Sequence, residues 1–165
     1  MALFIKFDGI DGESIASGHE KWIEVLSWSW GASQPAARMA VGSGAGKAGT
    51  PSIQVLSIGK HLDKSSPLLY QSCASGKVFP SVLLHVVQEG GAELKVSELA
   101  LELKLGNSLI SSIRSSQDLT LAGDTAPVEA LTLNFSKVDM TYNEYDAAGK
   151  LLSSPYWRFD LTRKK

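Results

Sequence analysis

The chain has 165 residues, with 16 Lys and Arg against 17 Asp and Glu and a formal net charge of −1, so no global field draws it to nucleic acid or to anionic lipid. That length fits one domain, residues 1–165, whose folding buries roughly 70% of the surface of the extended chain without a metal or disulfide staple. The single Cys73 excludes an internal disulfide, suits a reducing cytoplasm, and reads as a small buried apolar residue before a nucleophile.

Leu3 to Phe7, LFIKF, reads as a short strand closed by the turn residues Asp8, Gly9, Asp11 and Gly12. Trp22 to Gly31, WIEVLSWSWG, reads as one long strand. Trp22, Leu26, Trp28 and Trp30 share one parity and are expected on a dry face, with Ser27 and Ser29 on the other. Ala32 to Pro51 carries Pro35, Gly42, Gly44, Gly46, Gly49 and Pro51; it is too long for a plain connection and is expected to project as a functional loop. Ser52 to Ile58 returns to strand. Ser66 to Ser75 is the one convincing helix, with Ser66 able to cap, Pro67 at the first helical position and Gly76 after the last turn.

After the helix the chain is strand again, from Val78 to Val87, then a Glu89 to Gly91 turn, then Glu93 to Leu105 with Leu99, Leu101, Leu103 and Leu105 alternating against Glu98, Glu102 and Lys104. Gly106 and Asn107 read as a two-residue hairpin turn. Strands over Leu109 to Leu121, Val128 to Tyr142 and Tyr156 to Leu161 complete the set, the last two separated by a turn at Asp146 to Gly149. About eight strands and one helix predict an all-β fold, an antiparallel two-sheet β-barrel or sandwich with one flanking α-helix.

Sites of chemistry are scarce. VGSGAGKAG at Val41 to Gly49 approaches a phosphate-binding loop, but Val41 stands where the first Gly is needed, Ala48 where the hydroxyl is needed, and a strand follows in place of a helix. Asp8, Asp11 and Glu13 lack the spacing of a calcium loop. His19, His61 and His85 are isolated in sequence and read as surface or packed histidines. No Gly-x-Ser-x-Gly elbow is present. Catalytic residues, cofactors and metals are therefore expected to be none. No apolar run approaches the roughly 18 residues that cross a bilayer, and Lys6 and Asp8 sit where a signal peptide needs an apolar segment, so neither a membrane nor a nucleic-acid partner is expected and any export proceeds without an N-terminal signal.

The opening LFIKFDGIDGES, the segment WIEVLSWSWG, the Gly-rich loop, the helix region around HLDKSSPLLYQSCASGK and the closing LNFSKVDMTYNEYDAAGK together resemble Hcp, the tube protein of the bacterial type VI secretion system. The likeness runs over essentially the whole chain in one order. It implies a two-sheet barrel with a flanking helix, a homo-hexameric ring, rings stacked into a tube, sheath and spike proteins as partners, and small effector proteins carried in the lumen. It also implies a protein held in the cytoplasm and then secreted. With no domain expected beyond Lys165, a fused toxin is not expected. If the small face of the Trp22 to Gly31 strand lines the ring, Ser27 and Ser29 contact the effector, while Arg38 and Lys47 mark the loop that stacks one ring on the next. Two other classes remain open to the residues: a carbohydrate-binding module using exposed Trp platforms, and a hydrolase assembling a triad in space.

Overall fold

The computed structural model describes residues 1–34, 50–88, 99–117, 126–146 and 148–163. Arg38 and Lys47, with most of the Gly-rich loop, and the Glu89 to Gly91 turn lie outside the described residues. In chain order the elements are β1 (Ala2–Phe7), β2 (Ile23–Glu24), β3 (Ser27–Ser29), β4 (Ala32–Ser33), β5 (Ser52–Ile53), β6 (Leu56–His61), α1 (Ser66–Ser75), β7 (Val78–Val87), β8 (Leu99–Ser116), β9 (Val128–Asn134), β10 (Lys137–Tyr142), β11 (Glu144–Tyr145), β12 (Leu151–Ser153) and β13 (Tyr156–Asp160). Nine strands form one antiparallel sheet in the order β2-β1-β7-β8-β9-β6-β3, with β10 beside β8 and β13 beside β10. The expected all-β class with one flanking helix is the fold observed.

The sheet is folded across a crease. Ser81 pairs with Gly106, and Gly106 with Lys137, in one row. On either side of that row the inward parity changes: Phe79 against Val82 and Leu84 in β7, Leu103 and Leu105 against Ile110 in β8, Leu133 against Val138 from β9 to β10. Both halves therefore turn their apolar faces into the same core, where Phe7 and Phe79 meet edge to face at 5.2 Å between ring centroids. Gly106 and Asn107 are thus not the hairpin turn that their sequence suggests. They are the bend inside one long strand, Leu99–Ser116, with Asn107 at φ 49°. A Cβ on Gly106 would lie 3.2 Å from Lys137 Cβ, the close approach that a barrel corner reserves for glycine.

The other seam is a change of partner within the Trp-rich segment. The run from Trp22 is two short strands, because Val25 N–H bonds the Leu3 carbonyl of β1 while Leu26 N–H bonds the Gly59 carbonyl of β6. The chain itself thereby joins the two ends of the sheet path, β2 and β3. The change of partner breaks the single parity expected over this stretch: Ile23 and Val25 point into the main core, Leu26 is 51% exposed, and the alternation restarts with Trp28 and Trp30 packed on the core. Trp22 is buried in a separate cluster with Phe4 and Val87. Ser52 to Ile58, also expected as one strand, divides between β5, paired with β4, and β6, paired with β3 and β9.

Helix α1 spans the expected residues and ends at Gly76, which takes the left-handed conformation at φ 65° while Lys77 N–H bonds the Ser72 carbonyl. Ser66 does not cap it; the N-cap position is Ser65. The Ser66 hydroxyl instead donates to Glu129 Oε2 at 2.7 Å within a buried polar cluster. Lys60 Nζ, wholly buried, donates to Glu129 Oε2 at 2.8 Å, to Asp63 Oδ1 at 2.9 Å and to the His61 carbonyl at 2.7 Å. Ser115 donates to the other Glu129 oxygen, and Tyr70 on the exposed side of α1 bonds Ser115. Burial works against the Asp63 carboxylate, but hydrogen bonds from Ser65 and Lys60 outweigh it and hold Asp63 below its ordinary range.

Breaking a buried, hydrogen-bonded pair by removing one partner leaves the other charge without compensation, a loss of about 3–5 kcal/mol. Urea denaturation of Glu129→Ala and of Lys60→Met is expected to show that loss in each. The double variant Lys60→Met with Glu129→Leu is expected to lose less than either single one.

Candidate functional surface

The outward faces of β3, β6, β9 and the C-terminal half of β8 form a continuous wall. One row runs Ser29, Ser57, Thr132, Ser112; the next runs Ser27, Gly59, Ala130, Arg114. Ser27 and Ser29 are both exposed, as the strand alternation requires once Trp28 packs inward. A bulge at Ser111 and Ser112 sets both hydroxyls opposite Thr132, whose Oγ1 lies 2.8 Å from Ser111 Oγ and 2.6 Å from Ser112 Oγ. Gly59 stays bare for a steric reason, since a Cβ there would lie 2.6 Å from Ser27 Oγ. The wall is built of hydroxyls, one methyl and one glycine, and Arg114 is the single residue of the two rows with a charge.

Sequence reasoning found two residues of this wall and missed the rest. The signal was present in β6 and β9, where Ser57 and Gly59 alternate with Leu56, Ile58 and Lys60, and Ala130 and Thr132 with Glu129, Leu131 and Leu133. In the middle of both strands the solvent-facing positions are small, with His61, Val128 and Asn134 at the strand ends, and the charges of Lys60 and Glu129 take the core phase.

The opposite end of the sheet has a different character. On the outer face of β1, β7 and β8, Phe4, His85 and Glu102 share a row. The segment before β2 lies over it: His19 stacks on Phe4 at 4.5 Å, and Trp22 sits 4.5 Å from His85 and 4.8 Å from His19. A Cβ on Gly12 would overlap the Trp22 carbonyl, so the strap passes there only with glycine. His19 Nε2 lies 2.9 Å from His85 Nδ1, and His85 Nε2 lies 3.0 Å from Glu102 Oε2. An ionised Glu102 accepts from His85 Nε2–H, which leaves His85 Nδ1 to accept from His19 Nε2–H. Two histidines isolated in sequence are thus neighbours in space, both buried and serving to pack. Burial, and then the charge of His85, lowers the His19 pKa; burial lowers that of His85 against the opposing pull of Glu102.

No group of three or more His, Cys, Asp or Glu among the described residues is arranged to hold a metal ion. No helix among them is long and apolar enough to cross a membrane. Trp22 is buried and Trp28 and Trp30 pack against the core, so the Trp-rich run offers no free ring on which a sugar would stack.

A creased antiparallel sheet with one flanking helix and a smooth hydroxyl wall is the β-rich architecture of this chain, and what it presents outward is that wall. Residues 4–142 match the family described as type VI secretion system effector, Hcp, and the chain belongs to that family. Its members are secreted structural tube proteins of the type VI secretion system and not enzymes. The chain is 38% identical over 147 residues to the protein hcp1 of Pseudomonas aeruginosa, covering 89% of this chain and 86% of that one. Among solved structures it is similar to a type six secretion system protein, at 27% identity with a TM-score of 0.88 over 99% of this chain and 98% of that one. It is also similar to Hcp1 from Salmonella typhimurium, at 28% identity and a TM-score of 0.73 over 99% and 96%.

The histidine pair sets a pH dependence of stability. Both folded pKa values lie below the ordinary 6.5, so the unfolded chain binds more protons as acid is added. The contribution is complete above about pH 6.5 and declines as pH falls from there through the lowered folded values. Urea midpoints between pH 7.5 and 5 are expected to fall for the native chain, and to fall less in a His19→Gln, His85→Gln double variant.

Proposed function

We propose that six copies of this chain close into a ring, that the rings stack into the inner tube of a type VI secretion system, and that the hydroxyl wall lines the bore. The observation that carries the reading is that wall. A ring repeats each side chain six times around its bore, and the two rows keep every position but Arg114 small and uncharged; small hydroxyls form bonds to a passing protein and release it. On this reading Ser27 and Ser29 contact small effector proteins, and residues 1–165 act as one tube domain. The chain waits in the cytoplasm among sheath and spike proteins until it is exported. Ring closure also accounts for β13, whose outer edge has no strand beside it among the described residues; a neighbouring copy satisfies such an edge and removes an aggregation hazard.

Native mass spectrometry at micromolar concentration is expected to show a species of six times the 17.7 kDa chain; monomer alone contradicts the ring. Ser29→Arg is expected to keep fold and hexamer but to lower effector co-purification and effector levels in the donor cell. Unchanged effector levels in a hexameric variant would place Ser29 outside the effector contact.

The Gly-rich segment is assigned the contact between rings, with Arg38 and Lys47 as its cations. Deleting residues 38–47 is expected to leave the ring mass unchanged and to abolish tubes by electron microscopy. Tubes that persist assign stacking to another surface.

A further inference from the structure

We propose that Arg114 sets the charge preference of the hydroxyl wall, and that the cargo it favours presents an acidic surface. The inference rests on the ring reading above and adds the chemical class of the partner. Arg114 lies on β8 opposite Ala130, in the row that continues to Gly59 and Ser27, and Ser112 and Ser116 are its same-face neighbours along the strand. Those row and strand neighbours, Ala130, Ser112 and Ser116, all have side chains shorter than its own. The nearby carboxylate of Glu129 belongs to the opposite face, where Lys60, Ser66 and Ser115 occupy it. The other arginines among the described residues are tethered: Arg158 Nε donates to Asp139 Oδ1 at 2.6 Å, and Arg163 lies 3.9 Å from Asp160. Among the described residues Arg114 has no ion-pair or hydrogen-bond partner and stands out from a neutral wall.

The physical consequence concerns discrimination. Ser and Thr hydroxyls both donate and accept, so they bind either sign of protein surface with little preference. A guanidinium has donors only, in a planar fork that matches a carboxylate. One exposed charge acts weakly, and screening confines it to about 8 Å at physiological salt. Six copies around one bore act on the same cargo at once, and simultaneous contacts multiply. The wall therefore supplies sign-independent adhesion, and residue 114 supplies the sign.

The test uses purified full-length rings of the native chain and of Arg114→Lys, Arg114→Gln and Arg114→Glu. The probe is one small folded protein in two labelled forms, an acidic-surface and a basic-surface variant, and binding is read by fluorescence anisotropy at physiological ionic strength. Native rings are expected to hold the acidic form about tenfold more tightly than the basic one. Arg114→Lys keeps that order, Arg114→Gln removes it and Arg114→Glu reverses it. A preference for the acidic form that survives in Arg114→Glu overturns the proposal while leaving the ring intact. A native chain that stays monomeric overturns the ring reading, and this proposal with it.

Discussion

The row Ser81, Gly106, Lys137 is where one antiparallel sheet folds back over its own core. A strand has period 2, so a flat sheet with these registers would turn Leu103 and Leu105 to one face and Ile110 to the other, and no single core would form. At the crease the strands bend together, and the inward phase shifts within β7, within β8 and from β9 to β10 at the same level. Glycine at the middle of the row permits the approach of Lys137, and Asn107 takes the positive φ that reorients the remaining half of β8. The hydrophobic term that stabilises the fold depends on this bend, because only the folded sheet brings Phe7, Phe79, Leu103, Ile110 and Leu131 into one dry cluster.

The crease also gives the sheet two distinct outer faces. Over β1, β7 and β8 the outer face is covered by the strap that carries His19 and Trp22, so Phe4 and Val87 are buried from both sides. Over β3, β6, β9 and the end of β8 nothing among the described residues covers the outer face, and the residues of its two rows are small apart from Arg114. The change of partner at Val25 and Leu26 lets one short run serve both: Trp22 closes the covered face, and Ser27 and Ser29, five and seven residues later, belong to the open one.

Much of this was legible in the chain. Period-2 alternation located β1, β7, the first half of β8 and the exposed serines of β3, and the Pro67 to Gly76 punctuation located α1 to the residue. Features set by contacts distant in sequence were not legible. Gly-Asn is a strong local signal for a two-residue turn, and tertiary pairing on both flanks of β8 overrides it. The partner change in the Trp-rich run follows from where β1 and β6 lie, which no window of ten residues contains. His19 and His85 are 66 residues apart and meet only because the strap crosses β1 onto β7. Arg38 and Lys47, the loop cations of the sequence reading, lie outside the described residues.

One pattern in the sequence runs against the usual sorting and was available to be read. In an antiparallel sheet with one solvated face, charges normally take the solvent phase. In β6 and β9 they take the core phase: Lys60 lines up with Leu56 and Ile58, and Glu129 with Leu131 and Leu133. Burying them is costly unless both are fully partnered, and Asp63, Ser66 and Ser115 complete the set. A sheet that needed only solubility would have no use for this arrangement, since charged residues at Ser57 or Thr132 would serve it without a buried cluster. Keeping those positions small while the charges turn inward leaves a nearly neutral outer wall, and the same inward cluster anchors the start of α1 to the strands that form that wall.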